Sequence, residues 1–343
     1  MPKIIHLVPY DGIGGVETAA RSMSQLKYGS IDFEVNFLFK KVAHARQRWA
    51  SFDPLSFLLA ARKIGIDRPD VLIVSLWRSA IVGILAKLLR PELKLVVFIH
   101  NAVNAHWLDS IFTCLAISLA HEVWVDSQAS QRERIPHVSS EKCRIISFVT
   151  RHFEVLSART VGPNFIFWGR ITPQKGLDRA LRIFAEVLRR HPNARFWIIG
   201  PDGGILNGTQ QLCKALGVTE AVVFLGAATL DEIAVHARMA SFYLQTSLFE
   251  GMAMSVVESM QMGLVPIVTS VGEIASYCQH GENAVVVQSD QQALETILSL
   301  LACDAQYQAM RLKAIATWND KPHYAESVLH ACEALLVANQ KAL

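Results

Sequence analysis

A chain of 343 residues, 51% hydrophobic and 18% charged, is long enough to bury large cores, and its length predicts two domains of roughly 150 residues each. No apolar run reaches the roughly 18 to 20 residues of a membrane span, Lys87 interrupting the best candidate, AIVGILAKLLR. The net charge of +3 is small for a nucleic-acid binder, and no such partner is expected. Residues 1–150 hold 18 Lys and Arg against 13 acids and the remainder 15 against 17, so the basic excess lies in the first half, where it suits phosphate-bearing ligands or anionic lipid. The six cysteines show no CxxC and no metal-ligand spacing with His, which reads as reduced thiols and no metal site. The segment MPKIIHLVPYDG has neither an apolar leader core nor a cleavage site, so a cytoplasmic location is expected.

Short runs rich in Val, Ile and Phe alternate with segments of helical spacing, the pattern of parallel α/β sheets. In chain order the predicted strands of the first half are KIIHLVP, FEVNFLFK, VLIVSLW, KLVVFIH, EVWVDS and CRIISF, with helices such as ETAARSMSQLK and AIVGILAKLLR between them. Periodicity lapses at TRHFEVLSARTVGPN, which predicts a linker over 151–163. Alternation then restarts with NFIFWGR, RFWIIG, AVVFLG, SFYLQTS, VPIVTS and NAVVV as strands and helices between them, including one at 254–262. The expected architecture is two tandem Rossmann-like, doubly wound α/β domains facing across a cleft, 1–150 and 164–320, followed by an amphipathic helix within 321–343. Ligands are expected at the carboxyl ends of the strands.

Four places at strand ends carry candidate chemistry. In PYDGIGGVETAA the amides of Gly14 and Gly15 can approach an anion on the positive end of a helix; a plain Gly-rich turn is the other reading, and G-x-G-x-x-G fails because Glu17 stands at its last position. His100 ends KLVVFIH and is either a ligand contact or a satisfied structural histidine. Arg170 and Lys175 share one strand-to-helix loop, suiting a diphosphate or standing as solvated charges. In SLFEGMAMSVVES, Glu250 falls in the turn after a strand, and Met252, Ala253, Met254 and Ser255 supply free amides at a helix start. Ser255 and Glu258 have the S-x-x-E spacing of a capping box, so Glu258 reads either as a cap or as an acceptor for ligand hydroxyls. Cations with amides fit phosphates, and carboxylates fit sugar hydroxyls. With no D-x-D triplet in the chain, a metal-free nucleotide diphosphate sugar site is expected.

These residues, GGVE at 14–17, His100, GR at 169–170 with KG at 175–176, and the E-x7-E pair Glu250 and Glu258, followed by MGLVPIVTS and HGENAVVV, resemble the retaining glycosyltransferases of family 4. The resemblance implies the GT-B fold, with the C-terminal helix packing back on the first domain. It also implies sugar transfer from a nucleotide diphosphate donor with retention and without a cofactor or divalent metal. Carried to matching positions, Arg170 and Lys175 hold the donor diphosphate, Glu250 contacts the donor sugar, Glu258 the ribose, and Gly15 and the amides of 252–255 the phosphates. His100 lies against the donor sugar, and catalysis falls to Glu250, His100, Arg170 and Lys175, with Glu250 a stabiliser rather than a nucleophile.

The chain departs from the family pattern in GMAM after Glu250, where Ala253 replaces Gly, in VGEIAS, where Glu273 replaces Gly and Ser276 an acid, and at Ala284. The first domain of such enzymes takes the acceptor, here expected to be a saccharide or lipid-linked saccharide of cell-surface polysaccharide or lipopolysaccharide assembly. The stretch 40–63, with Lys40, Lys41, Arg46, Arg48, Arg62 and Lys63 beside Trp49, Phe52 and Phe57, reads as a peripheral contact with an anionic membrane or as an ordinary packed helix. A non-catalytic nucleotide-sugar or glycan-binding partner subunit is the alternative to an enzyme. An epimerase or oxidoreductase lacks its dinucleotide fingerprint.

Overall fold

The computed structural model describes residues 1–12, 14–24, 31–39, 54–100, 106–153, 155 and 160–337. Lys40, Lys41, Arg46, Arg48, Trp49 and Phe52 of the predicted basic and aromatic stretch lie outside the described residues. The chain divides into two compact units, Met1–Thr150 with Pro322–Leu343, and Arg151–Lys321.

The first unit runs β1 (Lys3–Tyr10), α1 (Gly15–Ser24), β2 (Asp32–Phe39), α2 (Pro54–Asp67), β3 (Val71–Ser75), α3 (Leu76–Leu89), β4 (Lys94–Ile99), α4 (Trp107–Leu119), β5 (Glu122–Val125), α5 (Gln128–Arg134) and β6 (Cys143–Ile145). Its strands form one parallel sheet in the order β2-β1-β3-β4-β5-β6. Both faces are covered by helices, which is why β3 and β4 are buried along their whole length and read as unbroken apolar runs. Alternation then sorts side chains by face. Ile5, Leu7, Leu72, Val74, Leu95, Val97 and Ile99 pack with α2, α3 and α4 in one core. His6, Ser75, Phe98 and His100 alternate with them and so belong to the opposite face. The strand predicted over 71–77 stops at Ser75, because Leu76 turns into a left-handed conformation (φ 66°) and starts α3.

The second unit runs β7 (Asn164–Trp168), α6 (Leu177–Arg190), β8 (Arg195–Ile199), α7 (Leu206–Leu216), β9 (Val222–Gly226), α8 (Leu230–Ala237), β10 (Phe242–Gln245), α9 (Met254–Gln261), β11 (Val265–Val268), α10 (Ile274–Tyr277), β12 (Val285–Val286), α11 (Asp290–Ala302) and α12 (Asp304–Ala316). The last of these is absent from the predicted elements. The order β12-β11-β10-β7-β8-β9 is doubly wound, and it reverses between β7 and β10. That is the topological switch point, the place at the carboxyl ends of the strands where ligands bind in open α/β sheets.

The final helix, α13 (Tyr324–Val337), belongs to the first unit, as expected for the C-terminal segment. The Tyr324 amide donates to the Val149 carbonyl at 2.7 Å. Its ring packs edge-on against Phe148, centroids 5.2 Å apart, and stacks on Phe98 at 6.3 Å. Lys94 closes the far end by donating to the Leu335 carbonyl.

Candidate functional site

Two loops meet at the switch point of the second unit. After β7 the chain passes Gly169 and Arg170 into a single 3-10 turn, Pro173–Lys175, and reaches α6 through Gly176. After β10 it passes Thr246, Ser247 and Glu250 to α9. Gly176 is left-handed (φ 62°), and a Cβ there would stand 2.0 Å from the Thr246 carbonyl oxygen, so only glycine lets the loops touch. They are pinned by Thr246 Oγ1 donating to the Gly176 carbonyl at 2.6 Å and by the Leu248 amide donating to the Gln174 carbonyl at 2.8 Å.

Lys175 and Glu250 come together there. Lys175 Nζ donates to Glu250 Oε1 at 2.7 Å, with the side chains 16% and 6% exposed. The same oxygen accepts from Ser247 Oγ at 2.7 Å and from Gln245 Nε2 at 3.1 Å. Burying a carboxylate is costly unless such donors replace its water. Gln245 Oε1 in turn takes the hydroxyls of Tyr243 (2.5 Å) and Ser255 (3.0 Å). A continuous chain of hydrogen bonds therefore joins the first turn of α9 to Glu250. Gln245, Ser247 and Tyr243, which the motifs did not single out, are the residues that build this network around Glu250. The signal was present in FYLQTS, where polar side chains end a strand and are yet fully buried.

Arg170 is exposed, on the same loop as Lys175 and therefore open to an anionic ligand. Ala253 occupies the left-handed region (φ 57°) that the usual glycine would take, and it stands as the N-cap of α9 without a side-chain cap. The amides of Met254 and Ser255 start the helix and have no carbonyl one turn back to bond. The capping-box reading of Ser255 and Glu258 is overturned. Ser255 is the second residue of α9, not its cap, and its hydroxyl goes to Gln245. Glu258 Oε2 accepts instead from Trp168 Nε1 at 2.8 Å. Burial pushes the Glu258 carboxyl up to about 7, against the pull of the Trp168 hydrogen bond. A proton or ligand hydroxyls must compensate a carboxylate in such a place. The Glu273 substitution also has a structural setting. Gly272 (φ 54°) sits so close that a Cβ would meet the Glu250 carbonyl oxygen at 2.2 Å, and the Glu273 amide donates to the Gly251 carbonyl at 3.1 Å.

In the first unit, Gly14 and Gly15 open α1. The Glu17 carboxylate lies over that loop, 2.4 Å from where a Gly14 Cβ would stand. Arg21 holds the preceding turn by pairing with Asp11 at 2.9 Å and donating to the Gly12 carbonyl. His100 follows β4 at the carboxyl edge and is 7% exposed. Its Nε2 lies 2.8 Å from Ser75 Oγ, which lies equally 2.8 Å from His6 Nε2. Nothing in the motif reading singled out His6 or Ser75, although a histidine inside a fully buried strand and a serine ending another were visible.

Residues 149–317 match the family described as glycosyl transferases group 1. The chain is 33% identical over 122 residues to an uncharacterized glycosyltransferase of Methanocaldococcus jannaschii, MJ1607, covering 36% of this chain and 31% of that protein. It is 26% identical over 165 residues to the GDP-mannose:cellobiosyl-diphosphopolyprenol alpha-mannosyltransferase of Xanthomonas campestris, covering 46% of this chain and 43% of that protein. Both alignments thus span less than half of the relative. Over 98% of this chain and 99% of the other, the fold matches the Anabaena protein Alr3699/HepE, solved in complex with UDP-glucose, with a TM-score of 0.79 at 18% identity. Two doubly wound units with this likeness are the GT-B architecture. The match to the family of glycosyl transferases group 1 thus covers the second unit, Arg151–Lys321, almost from end to end.

Proposed function

We propose that the protein is a retaining glycosyltransferase that moves a hexose-type sugar from a nucleotide diphosphate sugar to a saccharide or lipid-linked saccharide in cell-surface polysaccharide or lipopolysaccharide biosynthesis. The observation that carries this reading is the part-buried Lys175–Glu250 pair at the switch point, with the exposed Arg170 on the same loop as Lys175. Arg170, Lys175 and the free amides at the start of α9 take the donor diphosphate and stabilise the charge that grows on it as the sugar departs. Glu250 faces the sugar. Its Oε1 already accepts three hydrogen bonds, which blunts it as a nucleophile and suits a fixed negative charge beside an oxocarbenium-like centre. The leaving phosphate takes the acceptor proton on the same face. Glu258 receives ribose hydroxyls, Gly14 and Gly15 line the phosphates, and His100 is assigned to the donor sugar.

The names of the relatives support the donor and acceptor classes: one is a mannosyltransferase acting on a diphosphopolyprenol-linked saccharide and another was solved with UDP-glucose. Charge neutralisation by side chains and amides makes turnover independent of divalent metal, so EDTA is expected to leave it unchanged. The first unit takes the acceptor on the inner face of the cytoplasmic membrane. Supporting a peripheral contact, α2 exposes Leu55, Leu58, Leu59 and Ile66 beside Arg62 and Lys63, and α4 exposes Trp107, Ile111 and Leu115. Among the described residues no helix is long and apolar enough to cross a membrane. Sedimentation with anionic vesicles exceeding that with neutral ones is the expected result, and equal recovery would remove the membrane contact.

Thermal-shift and donor-hydrolysis assays across UDP-, GDP- and ADP-sugars test the central reading. A matched donor raises stability by mass action and is consumed. Stabilisation without any turnover, with donor and acceptor present, would establish a binding subunit instead.

A further inference from the structure

We infer that Ser75 and His6 are positioning residues that hold the neutral imidazole of His100 as its Nδ1–H tautomer, so that His100 presents a hydrogen-bond donor to a ligand oxygen. Ser75 Oγ touches two ring nitrogens at 2.8 Å. A hydroxyl has one proton, so it donates to one Nε2 and must accept from the other. The two rings are therefore opposite tautomers, and reversing the hydroxyl reverses both. Among the described residues neither Nδ1 has a hydrogen-bond partner, and both are buried. One of them is an N–H and the other a bare lone pair.

The choice follows from depth. His6 is 1% exposed inside β1, and His100 is 7% exposed at the carboxyl edge of β4. An orphan N–H is more costly than an under-used acceptor, and of these two closed-off nitrogens the one at the carboxyl edge of its strand is the one an arriving ligand can reach, so the lone pair is left on His6 and the N–H on His100. His6 then donates from Nε2 to Ser75, and Ser75 donates to His100 Nε2. Phe98 keeps the rings in place, with centroids 6.4 Å from His6 and 4.1 Å from His100. Burial also keeps both rings uncharged, pushing His6 down to about 3 and His100 well below its ordinary value, where the nearby His6 and Arg134 add to the effect. The remaining unmet N–H calls for an acceptor such as a sugar hydroxyl or ring oxygen. This last step rests on the assignment of His100 to the donor sugar.

Long-range 15N correlation spectra of the histidine rings in the intact chain, assigned with His100→Gln and His6→Gln, read the tautomers directly. The expected result is Nδ1–H on His100 and Nε2–H on His6. Ser75→Ala and His6→Leu should release His100 into a tautomer mixture, whereas Ser75→Thr and His6→Gln, which restore a hydroxyl and an amide donor, should retain Nδ1–H. With whichever nucleotide sugar the donor panel shows to be consumed, Ser75→Ala and His6→Leu should lower kcat about ten-fold, the scale of one lost hydrogen bond, with KM nearly constant. The two conservative variants should stay near wild type. Nε2–H on wild-type His100, or an unchanged tautomer in both Ser75→Ala and His6→Leu, would overturn the inference. Full turnover by His100→Ala with the tautomers as assigned would instead remove His100 from the donor site and with it the ligand-facing role.

Discussion

The strand ends of the two units solve the same problem with opposite chemistry. In the second unit, Glu250 is a charged group in a nearly closed place, and Lys175, Ser247 and Gln245 all aim donors at one of its oxygens. In the first unit, His6, Ser75 and His100 form a chain of neutral groups that, among the described residues, leaves two buried nitrogens unbonded. The charged cluster is self-sufficient and preorganised, as electrostatic stabilisation of a developing charge requires. The neutral one is under-satisfied, which is how a protein keeps a directional hydrogen bond in reserve for something it binds. On the proposed function, charge marks where a diphosphate and a cationic centre are handled, and an unmet donor marks where hydroxyls are recognised.

The contrast breaks most visibly at Lys175. If the second unit contributes fixed charge, Lys175→Ala should lower kcat/KM for donor about 10²- to 10³-fold, as should Glu250→Ala, and steady-state donor turnover checks both. Wild-type turnover in these two variants would make the pair a structural ion bridge.

Glu258 tests whether its carboxyl is as unsatisfied as its surroundings imply. Its folded value of about 7 lies above the ordinary 4.5, so the fold prefers the protonated form. That contribution is whole below about pH 4.5, shrinks as the pH rises through 7, and is absent above it. Glu258→Gln, which keeps an acceptor for Trp168, should therefore be more stable than wild type at pH 8 by about 3 kcal/mol, at 1.36 kcal/mol per pH unit of displacement. The gain should vanish by pH 4.5. Urea denaturation at the two pH values measures it, and weaker donor binding by the same variant would identify the carboxylate as a ribose contact.

Smaller effects sharpen the geometry. Gly176→Ala drives a Cβ into the Thr246 carbonyl and should cost about 2 to 3 kcal/mol, because backbone cannot step aside as a side chain does. Ala253→Gly should relieve the left-handed strain at the start of α9. The relief of about 1 to 2 kcal/mol is offset in part by the greater freedom of glycine in the unfolded chain, and a net gain of about 0.5 to 1 kcal/mol in thermal unfolding is expected.

The fold was legible because parallel strands covered on both faces leave apolar runs, and nearly every predicted strand is present within a residue or two. VLIVSLW misled at its end, since Leu76 is apolar enough for a strand while its backbone turns into a helix. Of the candidates read at strand ends, Lys175 and Glu250 do come together in the fold, and His100 does stand at the carboxyl edge of β4. The candidate site was not legible where an ordinary residue acquires its role from a distant neighbour. S-x-x-E is a sound local signal for a cap, but the left-handed Ala253 starts the helix and frees both side chains for partners elsewhere.

The sequence by itself determined the alternation of strand and helix, the reach of each half, the loops that hold Arg170, Lys175 and Glu250, and the family resemblance. Those are properties of residues near one another in the chain. The tertiary structure alone decided which groups satisfy which: Glu258 with Trp168, 90 residues away, Glu250 with Lys175, 75 away, and Ser75 with His6, 69 away. A doubly wound sheet makes sequence-distant strands neighbours and sets their register, so the hydrogen bonds of a buried polar group are chosen by topology. No local pattern encodes that choice.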